Sequence, residues 1–347
     1  MTGAGGDTGP ADEAVREITA AGGEAVACAE SVATAEGGRA IVESALDHYG
    51  RIDVLVHNAG IVRSAPPAEM TYEDFDAVLD VHLRGAFHVV RPAFPLMREA
   101  GYGRVVLTSS IGGLYGNHRV ANYGMAKAGM IGLSNVVALE GAAAGVKCNV
   151  IVPGAVTRMA EGIDTSAYPP MGPELTAPVV GWLAHESCSV TGEMLVSIAG
   201  RVARAFVGET PGVYRPSWSI EQVGEELTAI RDTKDPWILP VVPSAHVDHI
   251  RNSFAMARHS EGGNTVTKVF ARILELFEAE GINTIFGIPD PNFVHMFHLA
   301  EERGWNVVAP HHEESAGFMA EAVSRMTYLE TKGILGRGAI QTTPLHA

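Results

Sequence analysis

The run Arg104-Val105-Val106-Leu107-Thr108-Ser109-Ser110 is apolar through its middle, without the polar alternation of a half-exposed strand. A strand of that kind needs cover on both faces, which is the condition of strands in parallel sheets flanked by helices. Comparable runs stand at residues 52–56, 147–152 and 193–198, and helical patterns occupy 36–49, 72–97 and 122–144 between them. A helix at 11–21 and a short strand at 24–28 come first. Strands alternating with helices predict an α/β fold with a parallel sheet. In such a sheet the strand at 104 delivers Ser110 to the carboxyl edge. Thirteen residues later, Asn122-Tyr123-Gly124-Met125-Ala126-Lys127 opens a helix. Tyr123 and Lys127, four residues apart, share one face of it. An ammonium beside a phenol stabilises the phenolate, and a Tyr so placed can exchange a proton with a substrate oxygen near neutral pH. Chance also puts Tyr and Lys at this spacing on solvated helices. The strand-end Ser at this distance favours a reacting group.

Ser110, Tyr123 and Lys127 resemble the catalytic set of the short-chain dehydrogenases/reductases. Two further segments fall in that family's order. His57-Asn58-Ala59-Gly60 follows the strand at 52–56 and resembles the family's Asn-Ala-Gly turn. Asn149-Val150-Ile151-Val152-Pro153-Gly154, with Thr157, resembles its Pro-Gly segment beside the nicotinamide. The resemblance spans residues 10–257. It is closest to the 3-hydroxyacyl-CoA dehydrogenase unit of multifunctional β-oxidation enzymes, through Tyr115-Gly116-Asn117, Ala121-Asn122-Tyr123 and His185-Glu186-Ser187-Cys188. It implies NAD or NADP as cofactor, Tyr123 as general acid/base, Ser110 orienting the substrate oxygen, and Lys127 on the nicotinamide ribose. Asn58, Ala59 and Gly60 would border the cofactor, or form a plain strand-to-helix turn. Pro153 and Gly154 would border the nicotinamide, and Thr157 would bond its carboxamide or cap the next segment. His82 stands where most of the family has a catalytic Asn. It would hold a relay water there, or be a buried helix histidine.

A dinucleotide fold begins with a strand, a Gly-rich turn and a helix whose N-terminus holds the pyrophosphate. Thr2-Gly3-Ala4-Gly5-Gly6-Asp7-Thr8-Gly9 imitates that turn, but no strand precedes it, and Asp7 sets a negative charge where phosphates would lie. The expectation is therefore a Rossmann-like parallel sheet lacking its first βαβ unit, with weakened cofactor binding.

After the polar stretch 258–264 the pattern restarts, with helices at 266–280, 293–303 and 313–326 and strands at 283–286 and 306–309. Ile285-Phe286-Gly287-Ile288-Pro289 and His312-Glu313-Glu314-Ser315-Ala316 resemble the pyrimidine-binding domain of thiamine-diphosphate enzymes of the acetolactate synthase type. That likeness makes Glu313 the thiamine-activating candidate. The Gly-Asp-Gly of a metal-diphosphate site is absent from the sequence, so thiamine diphosphate is not expected without a partner domain. The expected organisation is a truncated reductase core at 1–200, its C-terminal extension at 201–257, a linker at 258–265, a small second α/β fragment at 266–327 and a tail at 328–347.

The net charge of −15 argues against a phosphate-backbone partner, and no apolar run has the length of a membrane span. Cys28, Cys148 and Cys188 form no paired spacing, which suggests packing residues in a reducing cytoplasm. The pairs His246/His249, His295/His298 and His311/His312 lack a spaced third ligand, so no metal is expected. Family resemblance implies a homo-oligomer built on the helices at 72–97 and 122–144. Three functions stand open: an oxidoreductase on a secondary alcohol or ketone, with 3-hydroxyacyl-CoA as substrate; a thiamine-dependent lyase or synthase module completed by another polypeptide; and a non-catalytic truncated fusion.

Overall fold

The computed structural model describes residues 9–157, 167–260, 265–279, 281–286 and 294–308. The backbone divides into two compact units, residues 1–212 with 226–250, and residues 213–225 with 251–347.

The first unit is a five-stranded sheet in the order β1-β2-β3-β4-β5. Strands β1 (Val54–His57), β2 (Gly103–Thr108), β3 (Val146–Gly154) and β4 (Met194–Ile198) are parallel, and β5 (Arg201–Ala205) turns back antiparallel on β4. Register places Leu107 beside His57 and Val150, and Ile151 beside Thr108. Successive residues of β2 serve opposite layers, as the two-residue side-chain period requires. Val105 and Leu107 pack with Val90 and Met97 of α4 (Gly85–Glu99) and Met130 and Val137 of α6 (Ala121–Gly141). Val106 joins Ile151, Leu183 and Cys188 on the other face, under α7 (Ala177–Ala184). All of β2 is buried, as its apolar run predicted.

Local chemistry sets the helix boundaries. After α1 (Gly9–Ala20), helix α2 (Ala35–Tyr49) starts where Thr34 Oγ1 accepts from Gly37 N at 3.1 Å and stops at Gly50, whose φ of 71° closes the last turn. Thr71 caps α3 (Tyr72–Leu79) in the same way, accepting from Asp74 N at 3.1 Å. Arg104, buried at the start of β2, donates to the carbonyls of Gly103, Gly145, His185 and Glu186. The motif His185-Glu186-Ser187-Cys188 is thus a clasp on the sheet, and Lys147 Nζ fastens it again at the Cys188 carbonyl.

The structure departs from the sequence reading in several places. The stretch 24–28 forms no strand, because a strand needs a ladder partner and none of the described residues supplies one. The helix expected over 72–97 is interrupted by a π-helical turn at Asp80–Arg84, which carries His82. The hairpin partner β5 was missed, since its Arg-rich alternation reads as loop. Within the stretch read as the C-terminal extension, α8 (Ile220–Glu225) and α9 (Leu227–Ile230) form short helices. Helix α10 (Ala245–Ser260) was also missed, and it runs into the stretch read as linker. Glu313, His311, His312 and the tail lie outside the described residues.

Within the second unit, α11 (Thr265–Ala279), β6 (Thr284–Phe286), α12 (Val294–Glu302) and β7 (Asn306–Val308) form a two-stranded parallel sheet with helices. Leu274, Ala300 and Trp305 make its core, and Trp305 Nε1 donates to Glu278 Oε1 at 2.9 Å.

Candidate active site

The carboxyl ends of β1, β2 and β3 open onto a cavity of about 590 Å³. Ligand sites in open α/β sheets lie at this edge. Of the residues singled out in the sequence, Asn58, Gly60, His82, Tyr123, Lys127, Pro153 and Thr157 line it. Ala59 and Gly154 do not; Gly154 belongs to β3, where a Cβ would meet the Ile198 side chain at 2.5 Å.

Lys127 is held from the sheet side. Its Nζ donates to the Thr108 carbonyl at 2.6 Å, and Ser109 Oγ donates to the Lys127 carbonyl at 2.7 Å. Only 3% of Lys127 is exposed, and burial pushes its ammonium down to about 8. Nζ lies 5.6 Å from the centre of the Tyr123 ring. Close approach of α5 (Ile111–Tyr115) to α6 depends on Gly113, where a Cβ would sit 2.7 Å from that of Lys127.

Tyr123 lies in the first turn of α6. Asn122 fixes that turn: its Oδ1 accepts from Tyr123 N at 2.7 Å, and its Nδ2 donates to the carbonyls of Arg63 and Asp74. Ser110 caps α5, its Oγ accepting from Gly112 N at 3.1 Å. A Cβ at Gly112 would lie 3.6 Å from Ser110 Oγ and 3.7 Å from Tyr123 Cε1, so the hydroxyl and the ring flank one spot. Ser109, not Ser110, lines the cavity itself.

His82 packs edge-on to Tyr123, with ring centres 5.2 Å apart. Its Nε2 stands 3.0 Å from the Ile61 N–H and 2.8 Å from the Ile61 carbonyl. A neutral ring can serve only one of these at a time, according to its tautomer. Nδ1 has no hydrogen-bond partner. Desolvation, with the Lys127 charge second, pushes His82 down to about 4, so the ring is neutral at pH 7. Gly60 leaves it room, since a Cβ there would be 2.3 Å from His82 Cε1. At the mouth, Thr108 Oγ1 donates to Asn58 Oδ1 at 3.1 Å.

Sequence reasoning missed the supporting layer of Thr108, Ser109, Asn122 and His57. Asn122 had a visible signal, a carboxamide at a helix start next to Tyr123. Thr108 acts through its carbonyl, which no residue type announces. Among the described residues no group of three or more His, Cys, Asp or Glu could hold a metal ion. No helix there is long and apolar enough to cross a membrane.

A family model described as "short chain dehydrogenase" matches residues 4–166. Another, "Thiamine pyrophosphate enzyme, N-terminal TPP binding domain", matches residues 265–332. The peroxisomal multifunctional enzyme type 2 of Drosophila melanogaster is 39% identical over 76% of this chain and 42% of its own length. The full-length structure of that enzyme superposes with a TM-score of 0.57 at 35% identity, covering 78% of this chain and 44% of that one. A short-chain type dehydrogenase/reductase of Mycobacterium tuberculosis is 41% identical over 66% of this chain and 81% of its own length. The chain thus spans less than half of the fly enzyme and most of the bacterial one.

Proposed function

The chain belongs to the short-chain dehydrogenase/reductase family, and on that premise we propose that it interconverts a secondary alcohol and a ketone with NAD or NADP, the substrate being a 3-hydroxyacyl thioester of coenzyme A. The observation that carries this reading is the arrangement of Tyr123, His82 and deeply buried Lys127 around one cavity at the carboxyl edge of a parallel sheet. The substrate class is supported by the likeness to the multifunctional enzyme. Residues 1–200 with the extension 201–257 are the catalytic part on this reading.

The cavity fits the nicotinamide end of the cofactor. Val56, Ile151, Pro153 and Val180 supply apolar walls, and Thr157, Tyr123 and Lys127 supply polar groups. Lys127 would hold the ribose, Thr157 the carboxamide, and Asn58 the side of the pocket. The adenosine diphosphate end fits less well, because the described residues include no Gly-rich turn leading from a strand into a helix beside β1. We therefore expect weakened cofactor binding. The bound nicotinamide supplies or accepts the hydride.

In ketone reduction Tyr123 gives its hydroxyl proton to the carbonyl oxygen, and in alcohol oxidation it takes that proton back. Ser110 Oγ orients the same oxygen. Lys127 steadies the phenolate and returns the proton, and His82 holds the loop at Ile61 that walls the site. A proton donor fixed in this way contributes about 10²–10⁴-fold. Fluorescence titration with NADH, followed by absorbance on adding a 3-ketoacyl-CoA, tests the reading. Saturable binding and NADH consumption are expected. No binding at millimolar cofactor would end it and favour a non-catalytic fusion.

For residues 265–332 the family match supports common ancestry with thiamine enzymes. We propose that thiamine diphosphate and Glu313 come into play only with a partner domain that anchors the diphosphate. Co-purification of thiamine diphosphate with this chain alone would contradict that. The protein is further proposed to work as a homo-oligomer on small molecules, without nucleic acid, in a reducing compartment such as the cytoplasm, where its free cysteines stay reduced.

A further inference from the structure

On the oxidoreductase reading, which is the premise here, Tyr123 works beside His82. The two rings stand on separate elements, α6 and the π-turn, with their centres 5.2 Å apart. One side chain touches the backbone around both. Asn122 is fully buried, at 0% exposure. Its Oδ1 accepts from Tyr123 N at 2.7 Å, and its Nδ2 donates to the Arg63 carbonyl at 3.2 Å and the Asp74 carbonyl at 3.1 Å. Arg63 lies two residues past Ile61, whose N–H and carbonyl flank His82 Nε2. Asp74 lies in α3, the helix that runs directly into the π-turn. The carboxamide therefore joins three segments: the loop that clasps His82, the helix that leads to it, and the turn that carries Tyr123.

Residue type matters at this position. Two carbonyls need an NH₂ group and one backbone N–H needs an oxygen, a combination that a carboxamide offers and a carboxylate does not. The plainer role for Asn122 is a cap, because Val120, at the N-cap of α6, makes no side-chain capping bond. A cap requires only the oxygen. The two donors reach past the helix to other elements, which capping leaves without a reason. Other links do not duplicate them. The Arg63 and Asp74 side chains pair at 3.5 Å where both are partly in solvent, and such pairs contribute little. The Ala65 N–H donates to the Arg119 carbonyl at 2.8 Å, which fastens the loop to the approach to α6 and not to α3. We propose that Asn122 is a positioning residue: through its two donated bonds it sets the Tyr123 ring against the His82 ring, and so fixes where the proton donor meets the substrate oxygen.

Two variants separate positioning from capping. Asn122→Asp keeps the oxygen and the shape but loses both donors, whereas Asn122→Ala loses all three bonds. In the full chain without cofactor, NMR reads the cross-peak between the ring protons of Tyr123 and His82, which their edge-on packing makes visible. Both variants should lose that cross-peak, while the Val106 and Leu183 methyls, on the far face of the sheet, stay at their parent positions. A cross-peak kept in Asn122→Asp would reduce the residue to a cap, and one kept in Asn122→Ala would leave it no positioning role. Val106 and Leu183 methyls displaced as well would mean general loosening of the unit. Each of these results overturns the proposal. If either variant does not fold, the parent decides: the two Nδ2 protons should be protected from exchange, as donors to buried carbonyls are, and exchange at the rate of a free carboxamide would overturn it. None of these signals needs turnover, so a failed NADH titration would leave them standing. In an enzyme that turns over, both variants should lower kcat about 10–100-fold and leave NADH affinity unchanged. A loss confined to NADH affinity would equally overturn the proposal.

Discussion

Lys127 shows how one side chain couples stability to chemistry. Its ammonium sits in the sheet layer with a single neutral partner, the Thr108 carbonyl, and burial lowers it from 10.5 to about 8. Between those values the unfolded chain holds a proton that the native chain has lost. Stability therefore rises as pH goes from about 8 to 10.5. Lys127→Met should abolish that rise, which denaturant titrations across the window would measure. His57 and His82 act at the acid end. Each titrates near 4 in the fold and at 6.5 when unfolded, so the unfolded state binds the extra protons first. Stability is lost as pH falls from 6.5 towards 4, and His82→Asn should make that fall shallower. Tyr123→Phe should lower kcat/KM for ketone reduction by about 10²–10⁴ while leaving the NADH titration unchanged. A loss confined to cofactor affinity would remove Tyr123 from the proton-transfer role.

Elements are held in place here by a few close approaches. The π-turn between α3 and α4 owes its position to Gly60 and Ile61, which leave room for the His82 ring and then clasp it. Gly60→Ala would place a Cβ 2.3 Å from His82 Cε1, and the ring must move. Lower activity is expected, with a drop in stability of about 1–3 kcal/mol typical of an overpacked core. Activity together with an unshifted His82 NMR signal would show that the ring is not held this way. Arg104 does comparable work at the other end of β2, where four carbonyls share one buried guanidinium. Arg104→Met keeps the stem and removes the shared donors; the His185 carbonyl keeps the Cys188 N–H, and each buried acceptor left unpaired costs about 1–3 kcal/mol. Thermal unfolding should fall by several degrees.

At the scale of the molecule, the open side of β1 is the largest departure from a closed doubly wound sheet. Parallel strands are normally covered on both faces, yet Val54 is 42% and Val56 45% exposed, and among the described residues β1 pairs only with β2. An exposed apolar edge of this kind favours association between strands. Val54→Lys should lower light scattering at high protein concentration while leaving the melting temperature nearly unchanged. Scattering equal to that of the parent would mean that the edge is not where chains associate. The same open side lies next to the cavity through Val56.

The parallel sheet was legible in the sequence because a strand covered on both faces must be apolar almost throughout, and the order of strands and helices then leaves few topologies. That Tyr123 and Lys127 stand together at one cavity was legible because side chains at fixed spacing share a helix face, whereas Ser110 caps α5 and does not line the cavity. The strand expected at 24–28 was not realised, since a strand exists only through a neighbour and local pattern cannot supply one. The π-turn, the Thr108 carbonyl under Lys127 and the Ile61 groups under His82 are backbone features, silent in residue type. Sequence determined which side chains could react. Tertiary structure decided which are dry, which are neutral and which backbone atoms they face, because desolvation and hydrogen bonding depend on neighbours distant along the chain.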